Sequence, residues 1–182
     1  MSRNNLPNLL TLIRIIAVPF VILLLLTGNY LAALALFSFA SLTDLVDGYL
    51  ARRHDQISPF GKFADPIADK LLVAGVLVTF IQLDVLTAVP VVVIIARGFL
   101  VTGIRLLGTT EEVVISASWL GKVKTVSHIA LIVCITLTLE LNITWLEKLV
   151  NPLIYLAVTT ALVSGIDYLY QNRELIRKSF QN

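Results

Sequence analysis

The chain has 182 residues, 57% of them hydrophobic and only 14% charged. With a mean hydropathy of +0.88, these figures exclude an ordinary water-soluble globular protein. The net charge of +2 is small and the basic residues are not interleaved with aromatics in any exposed segment, which argues against a nucleic-acid partner. A single cysteine, Cys134, excludes an internal disulfide and a cysteine metal cage; within its apolar run it reads as a small core thiol.

A helix crossing the hydrocarbon core needs roughly 20 mostly apolar residues, so the length accommodates about six spans and little besides. The expectation is therefore an all-α polytopic membrane protein, a six-helix bundle forming one domain over residues 1–182. The first apolar stretch, behind Arg3, superficially resembles a secretory signal. Arg14 interrupts it, it is long for a signal, and further spans follow at once, so it reads as a span. The uncharged run 15–43 is too long for one ordinary span, and Thr27-Gly28-Asn29 within it carries turn chemistry. This predicts helices over 7–26 and 30–52, followed by 66–83, 85–107, 119–141 and 145–170. Pro7 and Pro66 are assigned to first helical turns, where the missing amide donor costs nothing.

With these spans, Arg3, Arg14, Arg52, Arg53, Lys62, Lys70, Arg97, Arg105, Lys122, Lys124, Arg173, Arg177 and Lys178 fall on or lean toward one side, and only Lys148 toward the other. Positive residues favour the cytoplasm, so both termini and the loops around Arg53 and Glu111 are expected there, on an integral protein of the inner (cytoplasmic) membrane. The sequence shows no internal repeat, which weighs against transporter folds built from two related halves. The chemistry is expected inside the bundle or at its cytoplasmic mouth.

The segment 43–70 reads TDLVDGYLARRHDQISPFGKFADPIADK. Asp44 and Asp47 are spaced i, i+3 and share one helix face; Asp65 and Asp69, spaced i, i+4, do the same on the next helix. Facing helices would converge these carboxylates, which repel strongly in a medium of low dielectric unless protonated, paired with bases or neutralised by cations. All-oxygen ligation selects a hard ion, Mg²⁺ or Mn²⁺, and four carboxylates suffice to bridge two ions. Gly48, Ala51 and Gly61 leave room for a ligand near the backbone. Arg52 offers a planar fork of donors to a pyrophosphate. A membrane-embedded salt-bridge set that only fixes packing is the competing interpretation, but the acids have few bases nearby, and ionisable residues in spans are functional by default.

The order Asp44, Asp47, Gly48, Ala51, Arg52, Gly61, Asp65, Asp69 resembles the signature of the CDP-alcohol phosphotransferase family, D-x-x-D-G-x-x-A-R-x₈-G-x-x-x-D-x-x-x-D, including its eight-residue gap. Outside that core, Asn8, Thr11, Arg14 and Pro19 resemble the P-N-x-L-T-x-x-R-x-x-x-x-P opening of the branch that uses glycerol 3-phosphate. Gly121, Lys122, Lys124 and Thr125 resemble its G-K-x-K-T segment, and Arg97 and Arg105 fall at its basic positions. Two positions depart: Gly98 stands where the branch carries Glu, which bears on how Arg97 is held, and His128 stands where it carries Gln. His128 reads as a core or pore-lining polar residue.

The resemblance implies a CDP-diacylglycerol donor, substitution at the phosphorus bearing the lipid, and CMP as leaving group. It implies that Asn8 and Thr11, with Gly48, Ala51, Arg52 and Gly61, take the CDP-lipid. Asp44, Asp47, Asp65 and Asp69 would hold the metals, and the family assigns the last aspartate, Asp69, to accept the proton of the attacking hydroxyl, a role its place one turn beyond Asp65 suits. Arg14, Arg97, Arg105, Lys122 and Lys124 come from three spans, and an arginine as deep as Arg97 is costly without an anion. A dianionic phosphate offsets that cost, which favours glycerol 3-phosphate over a neutral alcohol; simple anchoring at the cytoplasmic face is the alternative for Lys122 and Lys124. Tyr155, Ser164, Asp167 and Tyr168 lie on the last span; the tyrosines read as interface anchors, and Asp167 is able to hold a base from the basic pocket. The rivals are a cardiolipin synthase of the same family, with phosphatidylglycerol as acceptor, and a cation-coupled transporter. Membrane lipids are expected partners, and homodimers are common in the family.

Overall fold

A computed structural model describes residues 6–54, 59–110 and 119–179, with side chains described except at 6–8, 10, 44–54, 59–63, 109–110 and 178. The order is α1 (Leu6–Leu26), α2 (Tyr30–His54), α3 (Pro59–Gln82), α4 (Ala88–Thr110), α5 (Trp119–Leu141), α6 (Thr144–Gln171) and α7 (Arg173–Ser179). The described residues contain no strand, and the expected all-α class holds. Among the described residues, three helices are long and apolar enough to cross a membrane: α4 over Ala88–Gly108, α5 and α6. Shorter apolar stretches, Thr11–Leu26 and Tyr30–Thr43, lie in α1 and α2. The helices form two compact units, one holding α1 to α3 with Leu139–Leu141 of α5, the other holding the rest of α5 with α4, α6 and α7.

In the first unit, α1 packs against both α2 and α3. Its inner face buries Thr11, Arg14, Ala17, Val21 and Leu25, whereas Leu9, Leu12, Ile13, Ile16, Phe20 and Leu23 are exposed. Thr11 and Arg14 thus turn inward beside Ala17, Val21 and Leu25, while large apolar residues also cover the outward face, unlike a helix on a water-soluble core, whose outer face is polar. Polar groups inside and large apolar residues outside suit a lipid surround. Gly75 of α3 sets the closeness of the α1 contact, since a Cβ there would stand 3.1 Å from both Ile22 Cδ1 and Val18 Cγ1.

The turn expected at Thr27-Gly28-Asn29 is present. Gly28 adopts φ 77°, and the amides of Thr27, Gly28 and Asn29 take the carbonyls of Leu23, Leu25 and Leu24. The next turn displaces the expected start of α4 from 85 to 88. Asp84 is left-handed at φ 57°, and the amides of Val85 and Leu86 both close back on the Phe80 carbonyl, so neither begins a new helix. Pro66 corrects a second expectation: it lies inside α3, not in its first turn. Pro59 occupies that first-turn position, and the helix runs on through Pro66 although the carbonyl of residue 62 loses its amide partner there.

In the second unit, α4 packs on α6. The buried face of α6 is a stripe of small residues, Ala157, Ala161, Ser164 and Gly165, followed by Tyr168; small side chains let helices approach closely where no water drives them together. Arg97 meets Ser164 and Gly165, while Val101 and Ile104 cluster with Tyr168 and Leu175, so α4 and α6 run parallel. Polar bonds join α5 to α6: Ser127 Oγ to Thr160 Oγ1 at 2.9 Å, and His128 Nε2 to the Ala157 carbonyl at 3.3 Å. His128 is thus a core polar residue. Cys134, buried, donates to the Leu146 carbonyl at 3.6 Å, as a core thiol does. The short helix α7, not anticipated from sequence, folds Leu175 and Ile176 against the end of α4.

Candidate active site

Asp65 and Asp69 lie one turn apart on α3, both partly buried. The Thr11 hydroxyl, almost fully enclosed on α1, donates to Asp65 Oδ1. Lys70 Nζ forms an ion pair with Asp69 Oδ2 while the Asp69 side chain keeps 41% exposure. One side of the acid pair is therefore oriented from α1 and the other is held by its own neighbour in sequence. Asp44, Asp47, Gly48, Ala51 and Arg52 lie on α2, Gly61 on α3 and Asn8 on α1. Their side chains lie outside the described residues. The helices α2 and α3 that carry the two acid pairs are in contact.

Arg14 is 2% exposed and its Nε donates to the Ala40 carbonyl at 3.2 Å, an oxygen that also accepts from Thr43 Oγ1 at 2.8 Å. The guanidinium is thereby fixed against α2 one turn before Asp44. Charge buried this deeply is tolerated where hydrogen bonds hold it.

The second unit carries the other predicted bases. Arg97 Nε donates to Ser164 Oγ at 3.0 Å, and its stem fills the space left by Gly165, where a Cβ would stand 3.1 Å from Arg97 Cγ. Arg105, two turns further along α4, is exposed. Lys122 lies over the Trp119 ring, 6.0 Å from its centroid, and both are exposed, as residues at a membrane boundary are. Lys124 is partly buried, and its carbonyl accepts from Ser127 Oγ at 2.8 Å.

Sequence reasoning missed Lys70, Ser164 and Gly165 as neighbours of the named residues and took Tyr168 for an interface tyrosine. Tyr168 is 3% exposed, turned into the protein and packed with Val101, Ile104 and Leu175. The signal available in sequence was the i, i+4 recurrence of hydroxyls at Thr160, Ser164 and Tyr168 along one face of α6. Asp167 turns instead to Gln171, whose Nε2 donates to it at 2.8 Å on the same helix. Ser164 also answers the question raised by Gly98: the partner of Arg97 comes from α6.

The chain belongs to the CDP-alcohol phosphatidyltransferase family, whose family model matches residues 4–163. It is 38% identical to a Bacillus subtilis (strain 168) protein named CDP-diacylglycerol–glycerol-3-phosphate 3-phosphatidyltransferase, over 96% of this chain and 98% of that one. Relatives of the same name from Rickettsia typhi (strain ATCC VR-144 / Wilmington), 38% identical over 91% of this chain and 95% of theirs, and from Shigella flexneri serotype 5b (strain 8401), 38% identical over 91% and 93%, are similar along nearly their whole lengths.

Proposed function

We propose that this protein transfers a phosphatidyl group from CDP-diacylglycerol to glycerol 3-phosphate, giving phosphatidylglycerophosphate and CMP. The observation that carries this reading is the near full-length similarity to relatives named for that reaction. The oxygen-rich pair on α3 and the deep arginine on α4 supply the two kinds of group it needs. An acceptor hydroxyl oxygen attacks the phosphorus that bears the lipid, the bond from that phosphorus to the CMP oxygen breaks, and the hydroxyl proton passes to the Asp69 carboxylate. Lys70, paired with Asp69, holds that carboxylate in place. Arg52 clamps the pyrophosphate of the donor beside Gly48, Ala51 and Gly61, with Asn8 and Thr11 completing the CDP-lipid site. The bases Arg14, Arg97, Arg105, Lys122 and Lys124 take the acceptor phosphate.

The donor set Asp44, Asp47, Asp65 and Asp69 is all oxygen and fits Mg²⁺ or Mn²⁺, two ions by the number of carboxylates. Held by these carboxylates, such ions would supply positive charge against the pyrophosphate and the departing CMP. The three helices long enough to span, the apolar stretches of α1 and α2 and the outward apolar face of α1, with α3 taken as the remaining span, support a bundle of six spans. The one-sided distribution of Lys and Arg supports an active site and termini on the cytoplasmic side. The resemblance adds a homodimer.

Purified protein in detergent, given CDP-diacylglycerol, Mn²⁺ or Mg²⁺ and each acceptor in turn, tests the reading by CMP release. Release with glycerol 3-phosphate is expected. Release with phosphatidylglycerol alone identifies a cardiolipin synthase, and no release with any acceptor overturns the enzymatic reading.

A further inference from the structure

The face of α6 opposite Arg97 holds a polar group that neither packing nor membrane anchoring explains. Tyr168 is 3% exposed, and its ring is fixed among Val101 and Ile104 of α4 and Leu175 of α7. Among the described residues its hydroxyl has no hydrogen-bond partner. A buried hydroxyl without an acceptor is costly, and the apolar alternative, phenylalanine, fits the same space. In the parallel pairing of α4 and α6, Tyr168 stands one turn beyond Ser164, which holds Arg97, while Arg105 stands eight residues beyond Arg97 on α4. At about 1.5 Å rise per residue, the tyrosine falls at a height between the two arginines.

The surroundings are donor-rich. Neither Arg97 nor Arg105 forms an ion pair among the described residues, and the neighbouring acid, Asp167, is occupied by Gln171. Arg97, partly buried, and the enclosed, unanswered hydroxyl donor of Tyr168, with Arg105 on the exposed side of α4, call for a ligand with several acceptor oxygens and negative charge, which is the chemistry of a phosphate monoester.

Resting on the reading of Arg97 and Arg105 as acceptor-phosphate ligands, we propose that Tyr168 is a further ligand of that phosphate, donating its hydroxyl to an oxygen held between the two arginines, and that Ser164 is the positioning residue for Arg97. The hydroxyl of Ser164 takes the Nε, which leaves the two terminal nitrogens of the guanidinium to face the ligand. Gly165 permits this by leaving the stem of Arg97 its path along α6.

The test uses the full chain in detergent with saturating CDP-diacylglycerol and Mn²⁺. Tyr168→Phe is expected to raise KM for glycerol 3-phosphate roughly tenfold or more, as loss of a hydrogen bond to a charged group does. It should leave KM for the CDP-lipid within about twofold and raise the inhibition constant of inorganic phosphate in parallel. The variant should melt no lower than wild type but lose much of the thermal stabilisation that inorganic phosphate confers. Ser164→Ala should raise the same KM, and Ser164→Thr should restore it. Unchanged KM and phosphate inhibition in Tyr168→Phe overturn the proposal, as does an equal rise in both substrates' KM, which marks a structural role. Arg97→Gln separates this from the reading beneath it. If that variant keeps the wild-type KM for glycerol 3-phosphate, the acceptor-site assignment itself fails; if it shifts KM while Tyr168→Phe does not, only the role of Tyr168 fails.

Discussion

Thr11 of α1 donates its hydroxyl to Asp65 of α3 across 54 positions of sequence. Resemblance assigned Thr11 to the CDP-lipid and Asp65 to the metals, and the bond makes one contact serve both: a residue of the opening motif orients a carboxylate of the acid motif. A hydrogen bond to a charged group contributes about 1.5–3 kcal/mol, and Thr11 is sealed from solvent, so no water replaces it. Thr11→Val, which keeps shape and deletes the donor, is expected to raise the Mn²⁺ concentration for half-maximal activity roughly tenfold. Thr11→Ser should stay close to wild type. Metal titrations at fixed substrate check this, and equal metal requirements in wild type and Thr11→Val would show the bond to be idle.

Asp69→Asn keeps a neutral oxygen in place of the carboxylate but cannot accept a proton at neutral pH. Turnover should fall by roughly 10²–10⁴, the usual contribution of a general base, while binding of the CDP-lipid persists in an equilibrium assay. Lys70→Met removes the ion-pair partner and should lower turnover far less. A Lys70→Met loss as deep as that of Asp69→Asn would move the essential role from the aspartate to the pair.

The local parts of this site were legible in sequence, because i, i+3 and i, i+4 spacing alone puts two side chains on one helix face. The Thr27-Gly28-Asn29 turn was legible for a similar reason: one residue there adopts positive φ, and it is the glycine. Pro66 misled because an apolar window finds where a span enters lipid, whereas the helix itself begins a further two turns back at Pro59. What no spacing rule reaches is the pairing of Arg97 with Ser164, 67 positions apart. That depends on α4 and α6 packing in parallel, which is a property of the small-residue stripe on α6 and of its neighbours together. Tyr168 was misread for the same reason, since its burial comes from α4 and α7 and not from its own helix.

Chelation gives a prediction at the level of the whole donor set. Excess EDTA should abolish CMP release, and Mn²⁺ or Mg²⁺ should restore it, because hard oxygen ligands select hard ions. Asp65→Ala should need far more metal for any activity, and the sign follows from charge: removing one carboxylate weakens attraction for a divalent ion at every pH where the others are ionised. Activity that survives thorough chelation would remove the metals from the reaction.

Gly165 offers a way to disturb Arg97 without touching a polar group. A methyl at this position would stand 3.1 Å from Arg97 Cγ, closer than ordinary packing, so the arginine stem must shift by a few tenths of an ångström and carry its terminal nitrogens with it. The backbone effect runs the other way, since alanine in a helix interior is favoured over glycine by about 1 kcal/mol. Gly165→Ala is therefore expected to melt near the wild-type temperature yet show a KM for glycerol 3-phosphate raised by roughly threefold to tenfold, the range for partial loss of a charge-assisted contact. The KM for CDP-diacylglycerol should not move. Kinetics and a thermal melt on one preparation separate the two effects, and a variant with a normal acceptor KM would mean that the stem of Arg97 yields without moving its charged end.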